Sequence, residues 1–322
     1  MVTESHKISP GMLPRVTPRG NRLRLLYFES TADNTRGQPE QFSHAASDIL
    51  IGLQSRPMDD STDIPQLPAG DQAWRFLFDE TDIRGECVQL DSAFGDILAV
   101  HQYAPGVGRL LGELLAAAVL LRGILKFEGK LVLQARSEGQ IPLLMAECSS
   151  SGEVRGIARG ADHATANDFG QLLGKGSLAI TVDPSQGTRY QGIVPLSGDS
   201  LAHSLDAYFE QSEQLGTRLW LAAEGQRARG LLLQQLPAQL ITDPEQRHQQ
   251  WEHACALAAT IRAQDLLELD SRELLYRLYH QDSVRLYAPT PVVFRCTCSR
   301  ERTLRALAAI GAAEIESLLQ EM

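Results

Sequence analysis

The chain reads as an α+β fold, and three observations predict it. Strand-like segments come in clusters separated by turn-forming residues. Helical periodicities are few, and one of them is long and thickly apolar. No regular alternation of strand and helix, the mark of a doubly wound parallel sheet, runs through the chain. The expected architecture is a mixed-sheet core domain, then a helical segment, then a small C-terminal unit.

The first strands are expected over 74–78 and 84–90, turned around Asp82. A long helix follows, with Val107, Leu110, Leu111, Leu114, Leu115, Ala118, Leu121 and Leu125 on one broad face. Ala116, Ala117 and Ala118 would let another element approach it closely. Strands over 131–135, 142–147 and 153–158 then form a meander with Gly/Ser connections. Segments 178–182 and 190–194 flank Asp183-Pro184-Ser185-Gln186-Gly187, a turn by its chemistry. A helix from Ser200, capped by Asp199, places Leu201, Leu205, Tyr208, Phe209 and Ser212 on one side. Strands over 218–222 and 229–233, around Glu224-Gly225, complete a core spanning residues 71–237.

Residues 238–292 change character. Asp243 before Pro244, with Gln246 third, is a strong helix start, and Trp251, Ala254, Cys255, Ala258 and Ile261 make an apolar stripe. Asp270 with Glu273 opens a second helix, striped by Leu274, Leu275 and Leu278. In residues 293–322 a helix over 303–310 is expected to end at Gly311. Another then carries Ile315, Leu318, Leu319 and Met322 at i, i+3, i+4 and i+7, with nothing later to cover them. The chain thus reads as stopping in mid-domain. Residues 1–70 look different again: Pro-interrupted, poorly periodic, and best read as a disordered extension or a mis-assigned start, with Met58 rather than Met1 as the natural one.

Charge and composition narrow the function. The 322 residues carry a net charge of −10, which argues against nucleic acid as the main partner. The first 57 residues are +2 and the rest −12. No apolar run has the length of a membrane span, and no secretory leader is evident. Five scattered cysteines (Cys87, Cys148, Cys255, Cys296, Cys298) do not form an extracellular disulfide framework, so a cytoplasmic setting is expected. Cys87, Cys148 and Cys255 read as packing residues.

Cys296 and Cys298 stand one residue apart before a charged helix start. Two thiolates so close hold one side of a zinc ion, or oxidise to a bridge at the edge of allowed geometry. The same spacing also suits two small apolar residues in a strand. The longer string decides more. Pro291-Val292-Val293-Phe294-Arg295-Cys296-Thr297-Cys298-Ser299-Arg300-Glu301-Arg302, with Ala306-Leu307, closely resembles the opening of the zinc domain in the redox-regulated 33 kDa chaperonin family. So do Arg75-Phe76-Leu77-Phe78, Arg84-Gly85-Glu86, Leu111-Gly112-Glu113-Leu114-Leu115-Ala116-Ala117-Ala118, Gln191-Gly192-Ile193-Val194-Pro195-Leu196 and Tyr208-Phe209-Glu210-Gln211-Ser212-Glu213-Gln214-Leu215, in the right order. The resemblance covers about residues 71–322.

It implies an ATP-independent holdase chaperone for unfolding or oxidised client proteins, not an enzyme, dimeric when active. In such proteins a C-x-C and a later C-x-x-C bind zinc when reduced and form disulfides when oxidised. Here Cys296 and Cys298 would be the redox-active pair and half of the zinc site; 24 residues follow Cys298, none a cysteine. The resemblance also makes 238–292 a linker that docks on the core and loosens when the tail unfolds. Its client-binding candidates are Trp251, Ile261, Leu274, Leu275 and Leu278. Weak zinc binding and constitutive client holding are expected of such a half-site. The alternative is a thiol-disulfide oxidoreductase using Cys296/Cys298, though no C-x-x-C in a βαβ context supports it. Gly170–176 and Gly106–112 are misspaced for nucleotide loops, the latter reading as a flexible helix start. His248, His253 and Cys255 do not share one helix face.

Overall fold

Period-two alternation of large side chains builds β1 (Gln72–Phe78) and β2 (Ile83–Leu90), a hairpin turned at Asp82. The computed structural model describes residues 70–212, 215–296, 304–305 and 308–311. Next comes α1 (Ser92–Val100), then α2 (Pro105–Ile124), started by a proline whose missing N–H costs nothing at a first turn. The expected meander is β3 (Gly129–Ser137), β4 (Leu143–Ser149) and β5 (Glu153–Arg159). The glycine-rich run beyond it is the short α3 (Phe169–Leu172), capped by Asp168. Then follow β6 (Gly176–Pro184), β7 (Tyr190–Pro195), α4 (Leu201–Ser212), β8 (Thr217–Glu224) and β9 (Arg227–Gln235). Three helices come after: α5 (Pro244–Ala258), α6 (Ala263–Glu268) and α7 (Ser271–Tyr279). Short strands β10 (Val284–Leu286), β11 (Thr290–Pro291) and β12 (Val293–Phe294) complete the described elements.

These form two sheets. The first runs β10-β1-β2-β9-β8, with β11 also on β1, antiparallel throughout. The second runs β12-β5-β4-β3-β6-β7, antiparallel except where β12 lies parallel to β5. Between them lies α2, packed on β2, β8 and β9 from one sheet and on β3, β4 and β5 from the other. Sixteen of its 20 residues are buried. The single apolar face expected from sequence is therefore a correction: a helix walled on two sides is apolar all round. The Gly106–112 run lies at the start of α2, as expected, and at close contacts: a Cβ on Gly112 would stand 2.6 Å from the Ala223 methyl.

Two further differences have local causes. The helix at 201 is capped by Ser200, whose Oγ accepts from the His203 amide (3.2 Å), not by Asp199. Helices α1 and α6 were not foreseen. The α1 start is held from a distance, because the amides of Asp91, Ser92 and Ala93 donate to the Asp71 carboxylate at 2.7, 3.1 and 2.5 Å. In α6 the N-cap is Arg262, outside the usual Ser/Thr/Asp/Asn set. At the far end, residues 304–305 and 308–310 are helical and Gly311 takes φ +89°, as a helix-ending glycine does. The extension with Met58, Cys298 and the helix expected from Ile315 lie outside the described residues.

Candidate functional site

The first sheet has two apolar faces. One faces α2. The other carries Trp74, Phe76, Phe78, Ile83 and Cys87 from β1 and β2, and Leu231 and Leu233 from β9. Alternation explains the split: Trp74, Phe76 and Phe78 at i, i+2 and i+4 share one face of β1. The Phe76 ring lies flat on Gly85 of the neighbouring strand, where a Cβ would fall 2.0 Å from it. That strand therefore needs glycine.

Helices α5, α6 and α7 cover this outer face. They bury Trp251, Ala254, Ala258, Leu266, Leu267, Leu274, Leu275 and Tyr279 on it, as a cluster separate from the core around α2. Of the five residues expected to line a client site, Trp251 (8% exposed), Leu274 (4%) and Leu275 (1%) are turned onto the sheet. Ile261 and Leu278 are half-buried at its margin. The sheet face opposite them escaped the sequence reading, although the three aromatics at period two were its signal. Helices of six and nine residues are too short to persist alone in water. They exist because the sheet is there.

Polar contacts pin the cover. The Asp82 carboxylate accepts from the amides of Gln239 (3.1 Å), Leu240 (3.1 Å) and Ile241 (3.3 Å) and from Arg247 Nη1 at 2.5 Å. Its burial would raise its pKa, but those amides and Arg247 outweigh this and hold it below the ordinary carboxylate value. Arg247 also donates to the Leu236 carbonyl at 2.7 Å. Within the cover, buried Tyr279 donates to the Ala254 carbonyl (3.1 Å), joining α7 to α5. Gln89 on β2 donates to the Leu269 carbonyl at 3.1 Å. The local starts of α5 and α7 are those expected: Asp243 accepts from the Gln246 amide, and Asp270 from those of Arg272 and Glu273.

Just past α7 the chain becomes a strap. Strand β10 and then β11 pair with β1, and two residues later β12 pairs with β5 of the other sheet. The Val292 amide donates to Asp71, that of Val293 to Gly152 and that of Arg295 to Val154. Arg295 also pairs with Glu153 at 3.0 Å. Cys296 follows directly and is exposed.

The other thiols are chemically quiet. Burial drives the Cys87 pKa far up, with Glu86 adding to it. Burial pushes Cys148 and Cys255 up to about 12. All three stay protonated at neutral pH and are poor nucleophiles. Among the described residues no three His, Cys, Asp or Glu gather as a metal site, and His253 instead meets Asp282 at 3.1 Å. A tetrahedral zinc site takes four ligands, so Cys296 and Cys298 are chemically suited to half of one.

A model of the family described as Hsp33 protein matches residues 71–322. The chain belongs to the Hsp33 family. Among its relatives, the 33 kDa chaperonin of Pseudomonas savastanoi pv. phaseolicola is 55% identical over 257 residues, which are 79% of this chain and 86% of that protein. The 33 kDa chaperonin of Azotobacter vinelandii is 57% identical over 251 residues, 77% of this chain and 84% of that one. The crystal structure of the Hsp33 homologue from Thermotoga maritima superposes with a TM-score of 0.64 at 20% identity, over 78% of this chain and 89% of that one, and shows the same fold. Membership in the Hsp33 family supports a chaperone function. No described helix is long and apolar enough to cross a membrane.

Proposed function

We propose that this chain is an ATP-independent, redox-regulated holdase, a binder of unfolded or oxidised proteins and not a catalyst. One observation carries the reading: a broad apolar sheet face is covered by a peripheral layer of three helices, two of them too short to stand alone. Lifting the cover presents Trp74, Phe76, Phe78, Leu231 and Leu233 on one side and the stripes of Trp251, Leu274 and Leu275 on the other. Such surfaces bind exposed apolar segments of other chains. The helical linker is residues 238–292, between a core over 71–237 and a tail over 293–322.

The redox element is the pair Cys296 and Cys298. Zinc, when bound, keeps coordinating thiols as thiolates; these two cysteines would be two of its ligands. The strap makes the tail mechanically relevant. Cys296 sits one residue beyond Arg295, whose amide and guanidinium fasten β12 to β5. A conformational change at Cys296 therefore pulls on the segment that ends the linker. The protein is proposed to work in the cytoplasm, as a dimer when active.

The test is light scattering of a heat-denatured client with reduced and peroxide-treated protein. Protection that appears or strengthens with peroxide, and disappears in a Cys296→Ser, Cys298→Ser double variant, supports the switch. Equal protection by reduced, oxidised and double-variant protein supports a holdase without a thiol switch. Turnover of a reporter disulfide without client protection would favour the oxidoreductase instead.

A further inference from the structure

Strand β8 closes one end of the first sheet, and its outer edge bears on function. The Leu219 amide points away from β9, since it donates to Asp206 on α4 at 3.0 Å. Backbone groups of an antiparallel strand alternate sides, so Leu221 and Ala223 also direct N–H and C=O away from β9. Among the described residues no hydrogen bond reaches those groups. They open into a cleft of about 650 Å³. One wall is Leu110 of α2 with Phe169; the other is Ile261, Leu266 and Leu267. An unpaired strand edge between apolar walls calls for a partner with its own backbone donors and acceptors in extended form.

Charge selects further. Arg109 at the cleft is already engaged, with Glu113 at 2.8 Å and the Asn167 carbonyl at 2.6 Å. Asp199 and Glu224 line the same cleft, are exposed, and meet no cation among the described residues. The cleft therefore has two carboxylates in excess.

We propose that the outer edge of β8 docks an extended segment of an unfolded polypeptide by strand addition, with alternate apolar residues against the cleft walls and a Lys or Arg against Asp199 and Glu224. This rests on the holdase reading and adds to it a first contact, made at the sheet's edge while the linker is docked and losing one wall when Ile261, Leu266 and Leu267 leave with the linker.

The test uses the full reduced chain and two 12-residue unstructured peptides alternating Val and Ser, one flanked by Lys and one by Glu. Amide exchange is followed by NMR, alongside client light scattering. The expected result is slowed exchange at Leu221 and Ala223 with the Lys-flanked peptide. Reversing the exposed charges in Asp199→Lys, Glu224→Lys is expected to weaken that peptide about tenfold and to favour the Glu-flanked one, with an unchanged melting temperature. Peptide binding without protection at Leu221 and Ala223, or no peptide binding by a protein that still suppresses client aggregation, overturns the proposal and leaves the holdase reading intact. Concentration-dependent protection without peptide would show a second copy on this edge and also overturn it. Failure to bind peptide or to hold any client, reduced or oxidised, overturns both.

Discussion

The two faces of the first sheet are covered in different ways. The inner face is held by α2, a 20-residue helix buried on every side and walled by a second sheet. The outer face is held by three helices of 15, six and nine residues, with solvent on their far side. Both clusters are apolar, so the hydrophobic effect favours both. They differ in what must move to open them. Exposing the inner face separates two sheets and unmakes the domain. Exposing the outer face undocks a peripheral layer and leaves the two-sheet core in place. The proposed holdase would use this difference.

The largest effect expected is in the inner core. Phe94→Ala, at a position with 0% exposure, is expected to cost about 3–5 kcal/mol and to lower the stability of the whole domain in a denaturant melt. The matching change outside is Leu275→Ala, at 1% exposure. It is expected to cost about 2 kcal/mol of linker docking. Faster amide exchange should be confined to α5, α6 and α7, with α2 unchanged. A uniform loss of protection in that variant would break the distinction between the faces.

Next comes the polar pin. Asp82→Asn removes the charge that draws Arg247 and three backbone amides, and is expected to loosen the linker by about 1.5 kcal/mol. The pH dependence has a definite sign. The folded pKa of Asp82 lies below its ordinary value of 3.8, so its stabilisation is complete above that value and is lost as pH falls through the folded one. Below about pH 4 the linker should become sensitive to protease, whereas in Asp82→Asn that acid sensitivity should be blunted.

A further effect belongs to the inner face and is read only against pH. Glu86 is 3% exposed against Gly123 of α2, and its Oε2 accepts no hydrogen bond among the described residues. Burial pushes its pKa up to about 8, moderated by Arg75, Arg122 and Arg84. An acid raised in the fold binds more protons folded than unfolded between about 4.5 and about 8, so stability falls as pH rises through that window. Glu86→Gln should flatten the melting temperature between pH 5 and 9 and leave linker protection alone.

The same contrast explains what was legible in the sequence. The strands up to β9 were readable because alternation and turn chemistry are local; Gly225 and Asp183-Pro184 mark ends among them. The two- and three-residue strands β10, β11 and β12 are too short to carry such a pattern and depend on β1 and β5. The caps of α5 and α7 were readable for the same reason. What depended on distant partners was not. The cap of α1 is Asp71, some 20 residues upstream. Burial of α2 on all sides requires the second sheet. The stripes of Trp251 and Leu274 were visible as stripes, but their partner, the face of Trp74, Phe76 and Phe78, became evident only with the register of β1 against β2. Asp82 was read as a turn residue, and its pairing with Arg247 spans 165 positions.

Hydrogen exchange of the full chain, reduced and after peroxide, bears most directly on the releasable cover. Oxidation is predicted to strip protection from 244–279 and from the outer face of β1 and β2, while amides in 105–124 stay protected. Exchange unchanged by peroxide in a protein that nevertheless begins to hold clients, or lost equally from α2, would contradict it.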